Sequence, residues 1–385
     1  MSPISLPRIC TVSGILCFTA LNLLGLKPVQ AVGFSAKAIN LLSGGATNLG
    51  FGLNNLGDVV GQADNSLGQS HAFLYDGTHS VDLGTFAAGN AGQSFAFGIN
   101  DQSQVVGYAA LSSGGSYHAF LDNNGVKQDL STLGGADSVA TGINNQGTIV
   151  GYSTTGSGDV QAFRSLNGGP LSNSDGRVGE TSRAYGISND GTTVGEATNG
   201  AGTATSAYSS AHTFSPFLGA GDNSVAYATT NVKGTEEAVG QLGGSSKDAF
   251  TFTNHLTDLG TLAGYTGQSI AFGVNGKGEV VGESDSLNNV GDITGSHAFL
   301  FTGQGALIDL NSYVSPSFKY ILNDATAINA SGQILVNGTL KGGTATEAFL
   351  LTPQAVPEFS TFGSFGLMLL GIPALRLIRK RRSQS

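Results

Sequence analysis

One phrase, repeated seven times at a near-constant interval, limits this chain more than any other feature. Its clearest copy is Ala96-Phe97-Gly98-Ile99-Asn100, followed after a four-residue gap by Val105-Val106-Gly107. Aligned copies are centred on Gly52, Gly142, Gly186 and Gly273, and two degenerate ones on Ala228 and Ala327. Successive spacings are 46, 44, 44, 42, 45 and 54 residues, the last stretched by an insertion around 311–323. Such a period belongs to repeat architectures, in which each unit buries its apolar face against its neighbour. Without the repeats, 385 residues would suggest two or three separate domains.

A second phrase follows each copy of the first. It reads His71-Ala72-Phe73, His118-Ala119-Phe120, Gln161-Ala162-Phe163, His212-Thr213-Phe214, Asp248-Ala249-Phe250, His297-Ala298-Phe299 and Glu347-Ala348-Phe349. A third, Asp-Leu-Gly-Thr-Leu in its best form, starts at Asp82, Asp129 and Asp258, with a partial copy at Asp309 and blurred ones at Leu171 and Leu218. Asn40–Gly45 matches this third phrase and precedes every copy of the others. Phe95, Phe97 and Ile99 alternate with small residues, and Val105-Val106 is β-branched, so both segments predict strands. Between them, segments such as Asn144-Asn145-Gln146-Gly147 supply the Asn and Gly that tight hairpins need for positive φ.

Four strand-like segments in about 45 residues predict an all-β fold, a β-propeller of seven four-stranded blades. The alternative is an open β-solenoid. A solenoid needs polar capping repeats at its ends, and none is evident. The early Asn40–Gly45 phrase favours closure, because N-terminal residues can pair beside Glu347–Leu351 of the last repeat and remove the open edge.

His-Ala-Phe with its Gly-Ile-Asn partner resembles the HAF repeat of exported bacterial proteins. That resemblance spans 32–352 and implies an extracellular structural or binding protein; it carries no established reaction, catalytic residues or cofactor. Two ends flank the repeats. Residues 1–31 read as a secretory signal peptide: Arg8, an apolar run, then Val29-Gln30-Ala31, with signal peptidase expected to cut between Ala31 and Val32. Residues 353–385 hold Val356-Pro357-Glu358, the apolar stretch Phe359–Leu375, and the basic cluster Arg376, Arg379, Lys380, Arg381 and Arg382. The stretch of 17 residues predicts a transmembrane span with the basic tail cytoplasmic. This three-part order resembles the PEP-CTERM sorting signal, which implies recognition near Pro357-Glu358 by an exosortase. Phe359 stands where that signal often repeats proline.

Charge excludes one large class of partner. Between leader and tail lie 10 Lys and Arg against 25 Asp and Glu, a net −15, whereas the whole chain is −9. So acidic a surface is a poor nucleic-acid binder, because such binding neutralises phosphates with Lys and Arg. The two cysteines, Cys10 and Cys17, both lie in the leader, which rules out a disulfide scaffold and a cysteine zinc site.

No residue is nominated as catalytic, cofactor-binding or metal-ligating. His71, His118, His212 and His297 share one repeat position, but Gln161, Asp248 and Glu347 hold it elsewhere, so hydrogen bonding at a strand start is preferred to a metal site. Asp82, Asp129, Asp258 and Asp309 are expected as turn caps. Neither Ser172–Gly176 nor Asp285–Asp292 has the spacing of a calcium loop. The expected function is non-enzymatic: an exported structural or binding protein of the cell surface or extracellular matrix that takes polysaccharide as partner. Its contacts are expected on the loops 153–159, 199–206 and 284–295. The alternative is a glycan hydrolase or lyase, which a cluster of three or more carboxylates and aromatics in one funnel would mark.

Overall fold

The computed structural model describes residues 33–174, 181–198, 205–210, 223–244, 247–287 and 293–354. They form seven antiparallel sheets, the blades of a β-propeller closed into a ring. Strand β1 (Gly33–Ala38) comes first and belongs to the last blade. Blade 1 contains β2 (Asn48–Leu53), β3 (Val59–Asp64), β4 (Ser70–Tyr75) and β5 (Ser80–Asp82). Blade 2 has β6 (Ser94–Ile99), β7 (Gln104–Ala110), β8 (Tyr117–Asn123) and β9 (Val126–Asp129). Blade 3 has β10 (Gly134–Ile143), β11 (Thr148–Thr155), β12 (Val160–Leu166) and β13 (Ser172–Asn173). In blade 4 the described strands are β14 (Ser182–Ile187), β15 (Thr193–Thr198) and β16 (Thr205–Ser209). Blade 5 is β17 (Val225–Val232), β18 (Thr235–Gln241), β19 (Ala249–Phe252) and β20 (Leu256–Gly260). Blade 6 follows with β21 (Ser269–Val274), β22 (Val280–Leu287), β23 (Ile293–Phe301) and β24 (Ile308–Asp309). Blade 7 is β25 (Tyr320–Ile328), β26 (Ile334–Leu340), β27 (Thr346–Gln354) and then β1.

The repeated phrases follow from how a blade packs. Every blade is covered on both faces, so residues pointing either way from its third strand are buried. Ala72, Ala119, Ala162, Ala249 and Ala298 are 0% exposed, and so are Phe73, Phe120, Phe163, Phe250 and Phe299. Each phenylalanine sits opposite the glycine of the second strand, as Phe120 does opposite Gly107. That glycine cannot be replaced cheaply, because a Cβ on Gly107 would lie 1.8 Å from the Phe95 carbonyl oxygen. The crowding comes from a β-bulge between Ala96 and Gly98, where the first strand bends inward. Blade 7 has Val336 at this position, and there an additional irregularity between Leu322 and Asp324 changes the path of β25.

Blades are joined by side chains that the repeats carry at fixed places. Ser94 Oγ accepts from the Ala72 amide of the preceding blade at 2.9 Å and donates to the Gly84 carbonyl at 2.7 Å. Ser138, Ser182, Ser224 and Ser269 accept in the same way, and Asn48 does so across the seam, from the Ala348 amide at 2.7 Å. Asparagines form a second, incomplete set of links. The Nδ2 of Asn54 donates to the Asn100 carbonyl, Asn100 to Asn144, Asn144 to Ser188, Asn275 to Asn329, and Asn329 back to Asn54, at 3.0–3.1 Å. The hairpin asparagine is therefore a link between blades, and Gly147 takes the positive φ (77°). Closure is made by β1, which runs antiparallel to β27 from Gly33 opposite Gln354 to Ala38 opposite Phe349. The ring holds against the solenoid.

Three sequence assignments are corrected. Blade 4 uses Ser206-Ala207-Tyr208 as its second phrase: Tyr208 lies opposite Gly195 and is 2% exposed, with Ala207 at 0%. His212 is thus not equivalent to the other histidines, and it lies outside the described residues. The structure requires alanine followed by a large ring opposite the glycine, and His212-Thr213-Phe214 only resembles that more closely in letters. In blade 3, Asn173 and not Leu171 fixes the third phrase, since Asn173 lies opposite Phe163 as Asp129 lies opposite Phe120. Near the N-terminus, Ala38-Ile39 takes the place of Asp-Leu, two residues before Asn40, with the Ile39 amide donating to Ala348. Ala31, Val32, Val356, Pro357, Glu358 and the basic residues Arg376, Arg379, Lys380, Arg381 and Arg382 lie outside the described residues. Among the described residues no helix is long and apolar enough to cross a membrane.

Candidate functional site

The bulge that bends each first strand inward also sets what faces the ring's axis. A cavity of about 750 Å³ lies there, and all seven blades line it. The residue before each bulge glycine or alanine lines it: Phe51, Phe97, Tyr185, Tyr227 and Phe272, with Thr141 and Thr326 completing the set. Neighbouring rings touch around the wall, Phe51 with Phe97 at 5.5 Å, Tyr185 with Tyr227 at 5.5 Å, and Tyr227 with Phe272 at 5.7 Å between centroids. The threonines donate to the next blade, Thr141 Oγ1 to the Ala184 carbonyl and Thr326 Oγ1 to the Gly50 carbonyl. Tyr152, from a second strand, stands 6.5 Å from Tyr185 and narrows the gap that Thr141 leaves.

Carboxylates concentrate on one side of this wall. Glu283 of blade 6 and Asp324 of blade 7 line the cavity, and no lysine or arginine does so among the described residues. Burial and the neighbouring charges of Asp324 and Asp285 push the Glu283 carboxyl up to about 7, against a hydrogen bond from Ser296. Burial likewise raises Asp324 to about 6, partly offset by the Asn337 amide donating at 2.8 Å. A third carboxylate, Glu196, is differently placed. It accepts from Arg183 at 2.8 Å and from the Tyr185 hydroxyl at 2.9 Å, and the guanidinium sits 5.6 Å from the Tyr152 ring centroid. One buried hydroxyl in the cavity wall, Thr229 Oγ1, has no hydrogen-bond partner among the described residues.

The repeated histidines and aspartates lie elsewhere, on the outer half of the blades. His71 Nδ1 is 2.9 Å from Asp82, His118 Nδ1 2.9 Å from Asp129, and His297 Nδ1 2.8 Å from Asp309. Each aspartate also caps the turn that follows, accepting from the amides of Gly84, Ser131 and Asn311; Asp258 does the same for Gly260. In blade 3 the pair becomes Asn173 Nδ2 donating to Gln161 Oε1 at 2.6 Å. These pairs tie the outer strand to the third strand and face no common space. Among the described residues no group of three or more His, Cys, Asp or Glu is placed to hold a metal ion.

No family model matches the chain, and no curated protein matches it. Among solved structures, it is similar to a triple arginine-to-alanine mutant of AofleA from Arthrobotrys oligospora. That likeness covers 82% of this chain and 90% of the other, at 9% identity and a TM-score of 0.29. The wall is not where the sequence directed attention. Loop 153–159 is described, with only 156–158 exposed, whereas parts of 199–206 and 284–295 lie outside the described residues. Tyr152, Glu196 and Glu283 lie on the strands that lead to those loops, a few residues before the strand ends. The clue in the sequence was an aromatic immediately before the bulge glycine in four repeats of seven and before Ala228 in a fifth.

Proposed function

We propose that this protein is an exported, non-enzymatic module of the cell surface or extracellular matrix that binds polysaccharide in its axial cavity. The aromatic wall carries the reading: flat rings offer apolar faces to the C–H surfaces of sugars, and the threonines, tyrosines and Asn337 supply polar contacts. Export is supported by the leader and by the resemblance of 353–385 to a sorting signal, which make signal peptidase and exosortase the processing partners and the C-terminal span a transient membrane anchor. A glycan array probed with the full chain tests the binding. Phe97→Ala and Tyr227→Ala should each weaken a hit about threefold to tenfold, the worth of one aromatic contact at roughly 0.5–1.5 kcal/mol. Unchanged affinity in both variants would remove the cavity from the argument.

Glu283 and Asp324 favour a second reading, hydrolysis of the bound glycan, since an acid held near neutrality beside a carboxylate suits proton transfer. Incubating any bound glycan and assaying for new reducing ends separates the two. Turnover would sink the binding-only reading, and binding without turnover would sink hydrolysis.

A further inference from the structure

An aromatic wall accounts for a sugar in the cavity, but it leaves the carboxylates without a role. Glu283 and Asp324 stand on adjacent blades, line one space, and share it with no lysine or arginine among the described residues. Arg183, the cation beside Tyr152, is already engaged by Glu196. The groups facing Glu283 are the carboxylates of Asp324 and Asp285, the Ser296 hydroxyl and the Tyr227 phenol; Asp324 faces the neutral Asn337 amide. Two like charges drawn out of water together are unfavourable unless a positive group joins them. Both carboxyls are held above their ordinary range, as expected where that counter-charge is missing.

A separate observation points to an occupant. Thr229 is 8% exposed, lines the same cavity, and its Oγ1 finds no partner among the described residues. A buried hydroxyl is normally satisfied, so an unpaired one within the cavity wall marks a place that a ligand group would complete once the Thr229 side chain turned toward it. The surrounding rings add to the preference, because aromatic faces attract ammonium ions as well as C–H groups.

We infer that the axial cavity selects a glycan bearing free ammonium groups, a hexosamine polymer stripped of its N-acetyl groups, with Glu283 and Asp324 as the ammonium partners and Thr229 bonding a sugar hydroxyl. This rests on the glycan-binding reading above and narrows it to a cationic class. Binding draws a proton from Glu283 as the ammonium replaces it, so heats measured in buffers of different ionisation enthalpy report proton release near neutrality.

Isothermal titration of the full chain with three hexamers tests the inference: glucosamine, N-acetylglucosamine and neutral cellohexaose. The glucosamine hexamer is expected to bind at least tenfold more tightly than either other. The double variant Glu283→Gln and Asp324→Asn, checked for folding by its thermal midpoint, should lose that preference. If the double variant does not fold, Glu283→Gln alone should cut the preference at least threefold. Equal affinity for the neutral hexamers, or a preference that survives these substitutions, overturns the cationic assignment and leaves glycan binding standing. No binding to any hexamer overturns both.

Discussion

Gly107 shows how much a single residue decides in this fold. Its missing side chain lets the bulged first strand pass close by, and a Cβ there would overlap the Phe95 carbonyl oxygen. Gly107→Ala should therefore destabilise the protein by about 3 kcal/mol or more, because the obstacle is backbone that cannot rotate away. Gly114, on an open loop at φ 74°, has nothing near its would-be Cβ, so Gly114→Ala should cost only about 1 kcal/mol of backbone strain. Equal losses of thermal midpoint in the two variants would count against the bulge argument. Glu283 sets a pH dependence whose sign is opposite to that of a salt-bridged acid. Its carboxyl is pushed up to about 7 in the fold, so between the ordinary carboxylate range and neutrality the folded state binds more protons than the unfolded chain. Stability should therefore fall as pH rises through that window, by on the order of 1–3 kcal/mol. Denaturant titrations at several pH values should show this slope in the native protein and a flatter one in Glu283→Gln. A slope of the opposite sign would refute it.

Among the elements, β1 matters beyond its six residues, since it supplies the outer strand of the last blade and joins the two ends of the repeat array. Phe34 is 8% exposed and packs in one cluster with Leu322, Phe349 and Leu351. Phe34→Ala should cost about 3 kcal/mol and raise amide exchange along both β27 and its blade 1 neighbours. Exchange raised in β1 alone would mean a frayed strand and not a clasp. Strands, hairpins and this closure were legible in the sequence because each repeat must solve the same packing problem with the same residues. Faces were not legible. Phe97 and Phe120 each follow an alanine, yet one lines the axis and the other is sealed between blades. A blade buried on both sides erases the polar and apolar alternation that would tell them apart. Glu283 was harder still, because it stands where the repeats differ. After the Val-Val-Gly segment come Gln62, Tyr108, Tyr152, Glu196, Gln241, Glu283 and, after Val336, Asn337. Aligning the copies for their sameness passes over that column.

Taken as a whole, the ring is uneven. Its asparagine links run continuously from Asn275 through the seam to Asn144, but Ser188 and Thr230 occupy the corresponding places in blades 4 and 5. Opening should begin on that side, with amides of β14 and β17 exchanging faster than those of β2 and β25. Ser188→Asn, which can extend the chain of links toward blade 5, should raise stability by about 1 kcal/mol, the net worth of one buried hydrogen bond. No gain in the denaturant midpoint would mean that the gap is not what weakens this side. The clasp has a further consequence, in time and not in space. Gly33 is among the first residues of the ring to be synthesised, and its partner Gln354 is the last. The first strand of the array must therefore wait, unpaired and adhesive, while six blades assemble behind it. Completion of the ring is the final folding event, and a chain cut short anywhere before β27 leaves that edge permanently open to other chains.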